Sequence, residues 1–222
     1  MKQFFTRLLM MLAGLTFFAL GIVLAIRADI GYAPWEVFHV GLAYTTGLSI
    51  GIVSIIVGVV IVALVVLLKE KLGLATILNM LWVGLFIDIF FPHIPLSKNP
   101  VIGTIMLLAG IICIAVGSCF YMKSAFGAGP RDSLMIALAR KTKLPVGLCR
   151  GAIELLVTIA GWFLGGMVGF GTILFVVLIG LCIQTVFKLF KFNATAVKHE
   201  TLRDTYLALK TIMNQQNRNK SG

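Results

Sequence analysis

The hexapeptide Gly31-Tyr32-Ala33-Pro34-Trp35-Glu36 returns 96 residues later as Gly127-Ala128-Gly129-Pro130-Arg131-Asp132. Gly31 and Gly127 permit a sharp change of chain direction. Pro34 and Pro130 then stand at the first helical position, where a missing N–H costs nothing. Glu36 and Asp132 fall in the first turn, against the positive end of the helix dipole. Each hexapeptide therefore starts a helix, over Pro34–Thr46 and Pro130–Thr142. About a dozen residues of helix cover about 18 Å, too little to cross a hydrocarbon core about 30 Å thick. These short helices are expected either to lie in a membrane interface or to dip in as re-entrant halves.

A membrane is implied by what surrounds them. Spanning a bilayer takes about 20 apolar residues, and six stretches qualify: residues 8–26, 48–68, 72–91, 101–122, 144–164 and 167–187. Only 12% of the 222 residues are charged and 59% are hydrophobic, whereas a soluble domain carries about 25% charged residues. The net charge of +11 does not point to nucleic acid. The basic residues sit at the ends of apolar runs, as topology determinants do, and do not interleave with aromatics on a polar face. Cys113, Cys119, Cys149 and Cys182 form no C-x-x-C pair and no zinc spacing, and read as small hydrophobes.

The repeat extends well beyond the hexapeptides. Residues 14–91 align with 110–187 without a gap, matching Gly14 to Gly110, Gly21 to Gly117, Gly51 to Gly147, Gly73 to Gly169, Thr76 to Thr172 and Gly84 to Gly180. Close-contact and turn positions are kept while lipid-facing ones have drifted. Repeat one covers about 7–91 and repeat two about 101–187, within a transmembrane domain over 1–192. The apolar run after Lys2 and Arg7 resembles a signal peptide, but its counterpart in mid-chain argues that it is retained. Each copy holds three spans, so the second enters the membrane inverted. With the N-terminus in the cytoplasm, 17 of the 19 Lys and Arg residues lie inside, and only Arg27 and Lys98 lie outside, as the positive-inside rule requires. Both termini are then cytoplasmic. Residues 193–222 read as a polar tail: an amphipathic helix with Leu202, Tyr206, Leu209 and Met213 on one face, along the inner membrane surface, followed by a disordered end over 214–222.

The fold class is thus an all-α membrane protein: six transmembrane helices in two inverted three-helix repeats, each with a short proline-started helix. Inverted-repeat transporters place helix N-termini near the midplane around a solute. In that light Trp35, Glu36, Arg131 and Asp132 are candidate site residues held by Gly31, Pro34, Gly127, Gly129 and Pro130. The plainer alternative is that Glu36 and Asp132 only favour their helix dipoles and Arg131 only fixes topology. Glu154 is an acid within the fifth span, where ionisable groups are costly unless paired or hydrated. Arg150 lies one turn back. The two either form a salt bridge that eases insertion, or Glu154 titrates or binds a cation in coupled transport. Asp88 at the outer end of the third span, Asn79 and His39 are secondary candidates: Asp88 for interface anchoring, Asn79 for bonding between helices, His39 for packing or ligation.

Three stretches together resemble the YczE branch of the YczE/YyaS/YitT family of bacterial membrane proteins. They are the Gly-x-x-Pro-Trp-Glu turn, Thr46-Gly47-Leu48-Ser49-Ile50-Gly51, and Leu78-Asn79-Met80-Leu81-Trp82-Val83-Gly84-Leu85-Phe86-Ile87-Asp88. The resemblance covers about residues 7–192. The family pattern usually has Gly and Asp where this chain has Ala33 and Glu36, which keeps the helix start and the charge. The resemblance implies a multi-pass protein of the bacterial cytoplasmic membrane, in a family with members linked to regulation or secondary-metabolite production. It supplies no catalytic residues.

No H-E-x-x-H, G-x-S-x-G or P-loop occurs, and no metal or cofactor is expected. The leading reading is a carrier or channel-like protein for a small solute, embedded in lipid and able to form a homodimer. The alternative is a regulatory or assembly protein working through the basic inner loop at 140–143 and the tail.

Overall fold

Inside a bilayer no water is at hand for backbone N–H and C=O groups, so apolar runs of this length are constrained to helix. A computed structural model describes residues 2–193, 197 and 199–220. Among them lie α1 (Lys2–Arg27), α2 (Pro34–Thr46), α3 (Ile50–Leu67), α4 (Leu74–Phe90), α5 (Pro100–Lys123), α6 (Pro130–Thr142), α7 (Val146–Phe163), α8 (Phe170–Leu189) and α9 (Leu202–Lys220). Six helices are long and apolar enough to cross a membrane: α1, α3, α4, α5, α7 and α8. This is a multi-pass architecture with α2 and α6 as the short members.

Local geometry repeats at the spacing of the sequence repeat. Helices α3 and α7 are both 18 residues long, and α2 and α6 both 13. Gly31 and Gly127 take φ of 117° and 123°, which only glycine adopts without strain. The Gly73 N–H donates to Thr76 Oγ at 3.2 Å ahead of α4, and the Gly169 N–H to Thr172 Oγ at 3.2 Å ahead of α8.

The two halves meet along α1 and α5. Gly14 faces Gly117 and Gly21 faces Gly110, so closely that a Cβ on any of the four would come within 2.5–2.8 Å of the facing carbonyl oxygen. One number rises as the other falls, so α1 and α5 run antiparallel. Where lipid is as apolar as the side chains, this intimate packing replaces the hydrophobic effect as the force between helices. Met11, Leu15, Val23, Leu107 and Ile111 fill the seam and are fully buried. Further contacts exchange the halves. The Ala75 N–H donates to Phe126 O at 2.9 Å, and its counterpart, the Gly171 N–H, donates to Ile30 O at 2.7 Å.

The ends of the bundle differ in charge. At the basic end Arg140 meets Glu70 at 3.0 Å, and Arg7 bonds Glu200 at 2.7 Å and donates to Ser124 O at 2.8 Å. At the far end Arg27 donates to Phe91 O at 2.6 Å and lies 3.8 Å above the Phe91 ring. The chain ahead of α9 is tied to the basic end: the Glu200 N–H donates to Ala125 O and the Leu202 N–H to Leu72 O. Helix α9 takes in most of the stretch whose composition reads as disordered. Residues 194–196, 198, 221 and 222 of the expected tail lie outside the described residues.

Tertiary packing is less symmetric than the backbone. Helix α3 is clasped to α4, with Gly51 facing Gly84 O and the Asp88 carboxylate. The counterparts on α7 and α8, Gly147 and Gly180, would each accept a Cβ with nothing within 4 Å. Helix α2 lies on α7, where a Cβ on Gly41 would fall 2.6 Å from Gly161 O. At the equivalent positions α6 and α3 carry Ala137 and Val65, whose side chains forbid that approach.

Candidate functional site

A cavity of about 280 Å³ lies between the halves, and each of α1–α8 contributes to its lining. The proline turns supply the polar part. Pro34, Trp35 and Glu36 come from α2 and Gly129, Pro130, Arg131 and Asp132 from α6 and the residue before it. Both guanidinium amino groups of Arg131 reach Glu36 Oε1 at 3.3 Å, and the Arg131 Cζ lies 4.8 Å from the centre of the Trp35 ring. Glu36 is 4% exposed. A carboxylate so buried persists in charged form only beside such a partner.

Asp132 accepts from the Tyr121 hydroxyl at 3.0 Å. Arg150 and Glu154, one turn apart on α7, bond at 2.8 Å, and both line the cavity. The salt bridge and a place in the lining therefore coexist. His39 and Asn79 line it as well. Among the described residues, neither Trp35 Nε1 nor His39 Nε2 has a hydrogen-bond partner, although both atoms are buried.

Gly31 and Gly127 stand behind the lining, packed on Gly169 and Gly73. Asp88 is remote from the cavity. It accepts from the Ser49 hydroxyl at 2.5 Å and the Gly51 N–H at 2.8 Å, so it caps α3 at the far end. Sequence reasoning passed over Tyr121 and Ser118, which also line the cavity. Tyr121 has Ala25 as its repeat counterpart, and that departure was the available signal. Among the described residues no group of three or more His, Cys, Asp or Glu side chains could hold a metal ion.

The profile of a family of unknown function, DUF6198, matches residues 5–188. The chain belongs to this family. The DUF6198 match takes in α1 through nearly all of α8 and hence the whole cavity lining. The membrane protein YczE of Bacillus subtilis is 38% identical over 176 residues, which cover 78% of this chain and 81% of YczE. A protein of Haemophilus influenzae is 32% identical, covering 78% of this chain and 80% of its own. The YyaS protein of Bacillus subtilis is 25% identical, covering 77% and 87%. The resemblance read from the Gly-x-x-Pro-Trp-Glu turn thus holds. No solved structure matches this DUF6198 chain.

Proposed function

We propose that this protein is a carrier that moves a small polar solute across the bacterial cytoplasmic membrane by exposing the central cavity to each side in turn. The observation that carries the reading is the meeting of the two proline turns at Glu36 and Arg131, beside a cavity lined from every helix of both repeats. A purely structural bundle has no need to draw eight helices around an open space that holds two ion pairs.

The two repeats are inverted on this reading, and α2 and α6 are re-entrant halves. The antiparallel α1–α5 seam and the contacts that exchange the halves support it. Inverted repeats give alternating access a simple origin, because each half can adopt the packing of the other. The packing differences fit one such state. The far end is shut where α2 lies on α7 and α3 on α4. The cavity reaches Met122, Arg150 and Phe187, close to the basic ends of α5, α7 and α8. With the basic end in the cytoplasm, this is an inward-facing form. Its outward-facing partner has α8 drawn onto α7 at Gly180 and Gly147, as Gly84 and Gly51 are drawn together here.

The test is side-specific labelling. Ser118→Cys at the cavity, on a background lacking the four native cysteines, is to be labelled by an impermeant maleimide from the inside and, in a fraction of molecules, from the outside. Linking Gly147→Cys to Gly180→Cys is expected to abolish the inside labelling. Labelling from one side only, unchanged by the link, rejects alternating access.

A further inference from the structure

Resting on the carrier reading, we propose that the solute is a monocarboxylate with a small apolar body, its carboxylate bound by Arg131, Trp35 Nε1 and His39 Nε2. Trp35 and His39 are 6% and 2% exposed, line the cavity and leave those two nitrogens without partners among the described residues. An indole N–H can only donate, so whatever satisfies Trp35 is an acceptor. His39 Nε2 donates in the matching tautomer. The two rings are neighbours, with centres 6.4 Å apart, and the Arg131 guanidinium stands over one of them.

Arg131 is incompletely used. It contacts a single oxygen of Glu36 at 3.3 Å, longer than the 2.7–2.9 Å typical of charge-assisted bonds, and its planar fork suits a carboxylate that presents two oxygens. Arg150 is already taken by Glu154 at 2.8 Å, so one cation is open to exchange. Glu36, Asp132 and Glu154 line the same space and oppose negative charge, about twice as strongly for a dianion as for a monoanion, so the solute's single charge must be met by Arg131. Phe18, Ile22, Ile61, Val83 and Ile114 form its apolar wall, which a bare inorganic anion would leave unmatched. Glu36 and the solute then compete for Arg131.

The experiment is calorimetric titration of the purified full-length protein in nanodiscs with acetate, butyrate and benzoate. Butylammonium and inorganic phosphate serve as contrasts. At least one carboxylate is expected to bind, with butyrate ahead of acetate and neither contrast binding. Trp35→Phe keeps the ring and removes the donor, and should weaken binding about tenfold. Glu36→Gln should strengthen it, because a competitor for Arg131 is gone. Thermal unfolding of each variant reports that it is folded. Binding of none of the three carboxylates, preference for butylammonium or phosphate, indifference to Trp35→Phe, or weaker binding after Glu36→Gln would each overturn the proposal. The carrier reading fails separately: carboxylate binding without counterflow of the same labelled carboxylate in proteoliposomes rejects the carrier and keeps the site.

Discussion

Trp35 and Arg131 hold the same place in the two repeats, 96 residues apart, and they stack on each other, the guanidinium carbon 4.8 Å from the indole centre. On the inverted-repeat reading, equivalent positions touch only beside the pseudo-two-fold axis. The halves therefore differ in chemistry at this point of contact, whereas along the α1–α5 seam they meet glycine to glycine. An aromatic donor from one half and a cation from the other make a lopsided centre, which can hold a solute in one orientation.

Arg131→Gln should strand the buried Glu36 carboxylate and cost on the order of 3 kcal/mol of stability. The double variant with Glu36→Gln should recover much of that, because no buried charge is left unpaired. Thermal unfolding of the two singles and the double checks it. Strictly additive losses would mean the pair is uncoupled.

Glycines at equivalent positions should respond differently. Gly51→Leu is expected to cost about 1–3 kcal/mol through overpacking, since Gly84 O and Asp88 leave no room for a side chain. Gly147→Leu should fold normally, because space is open there, and on the carrier reading should slow flux by obstructing the approach of α8. Comparing unfolding temperature with flux separates the two effects.

Asp88→Ala should loosen the start of α3 by about 1 kcal/mol, the usual worth of a helix cap. It leaves the cavity untouched. Faster amide hydrogen exchange at Gly51 with unchanged ligand binding is the expected pattern.

The dock of the chain ahead of α9 should weaken in mild acid. Burial holds the His199 imidazole below its ordinary value, with the Asp132 carboxylate opposing more weakly, and its Nδ1 is buried without a partner among the described residues. A histidine with a lowered folded-state pKa favours the neutral form. As pH falls below about 6.5, proton uptake therefore favours the undocked chain. The protection of the Glu200 amide, bonded to Ala125 O, measured as its exchange rate relative to the intrinsic rate at each pH, should fall between about pH 7 and pH 5. His199→Gln should flatten that response.

Removing residues 202–222 discriminates a carrier from a docking protein. The cavity lining ends at Phe187, so flux should persist without α9. Loss of the cellular phenotype with flux intact would favour the regulatory reading.

Much of this protein was legible before any fold was seen. Span lengths, the two proline turns and the 96-residue repeat are local properties: a run of apolar residues is constrained to helix wherever it lies, and a Gly-x-x-Pro turn starts one. Glu36, Asp132, Arg131 and Trp35 stood out because they interrupt that regularity. Tertiary structure alone decided that Glu36 bonds Arg131, that Tyr121 reaches Asp132, that Asp88 caps α3 and that Gly147 faces open space while Gly51 is clasped. The Glu36 and Asp88 contacts join residues 95 and 37 positions apart, and no local periodicity encodes such partners. Two repeats that keep the same turn and close-contact glycines specify the same helices twice, whereas the side chains that differ between them decide how closely those helices pack.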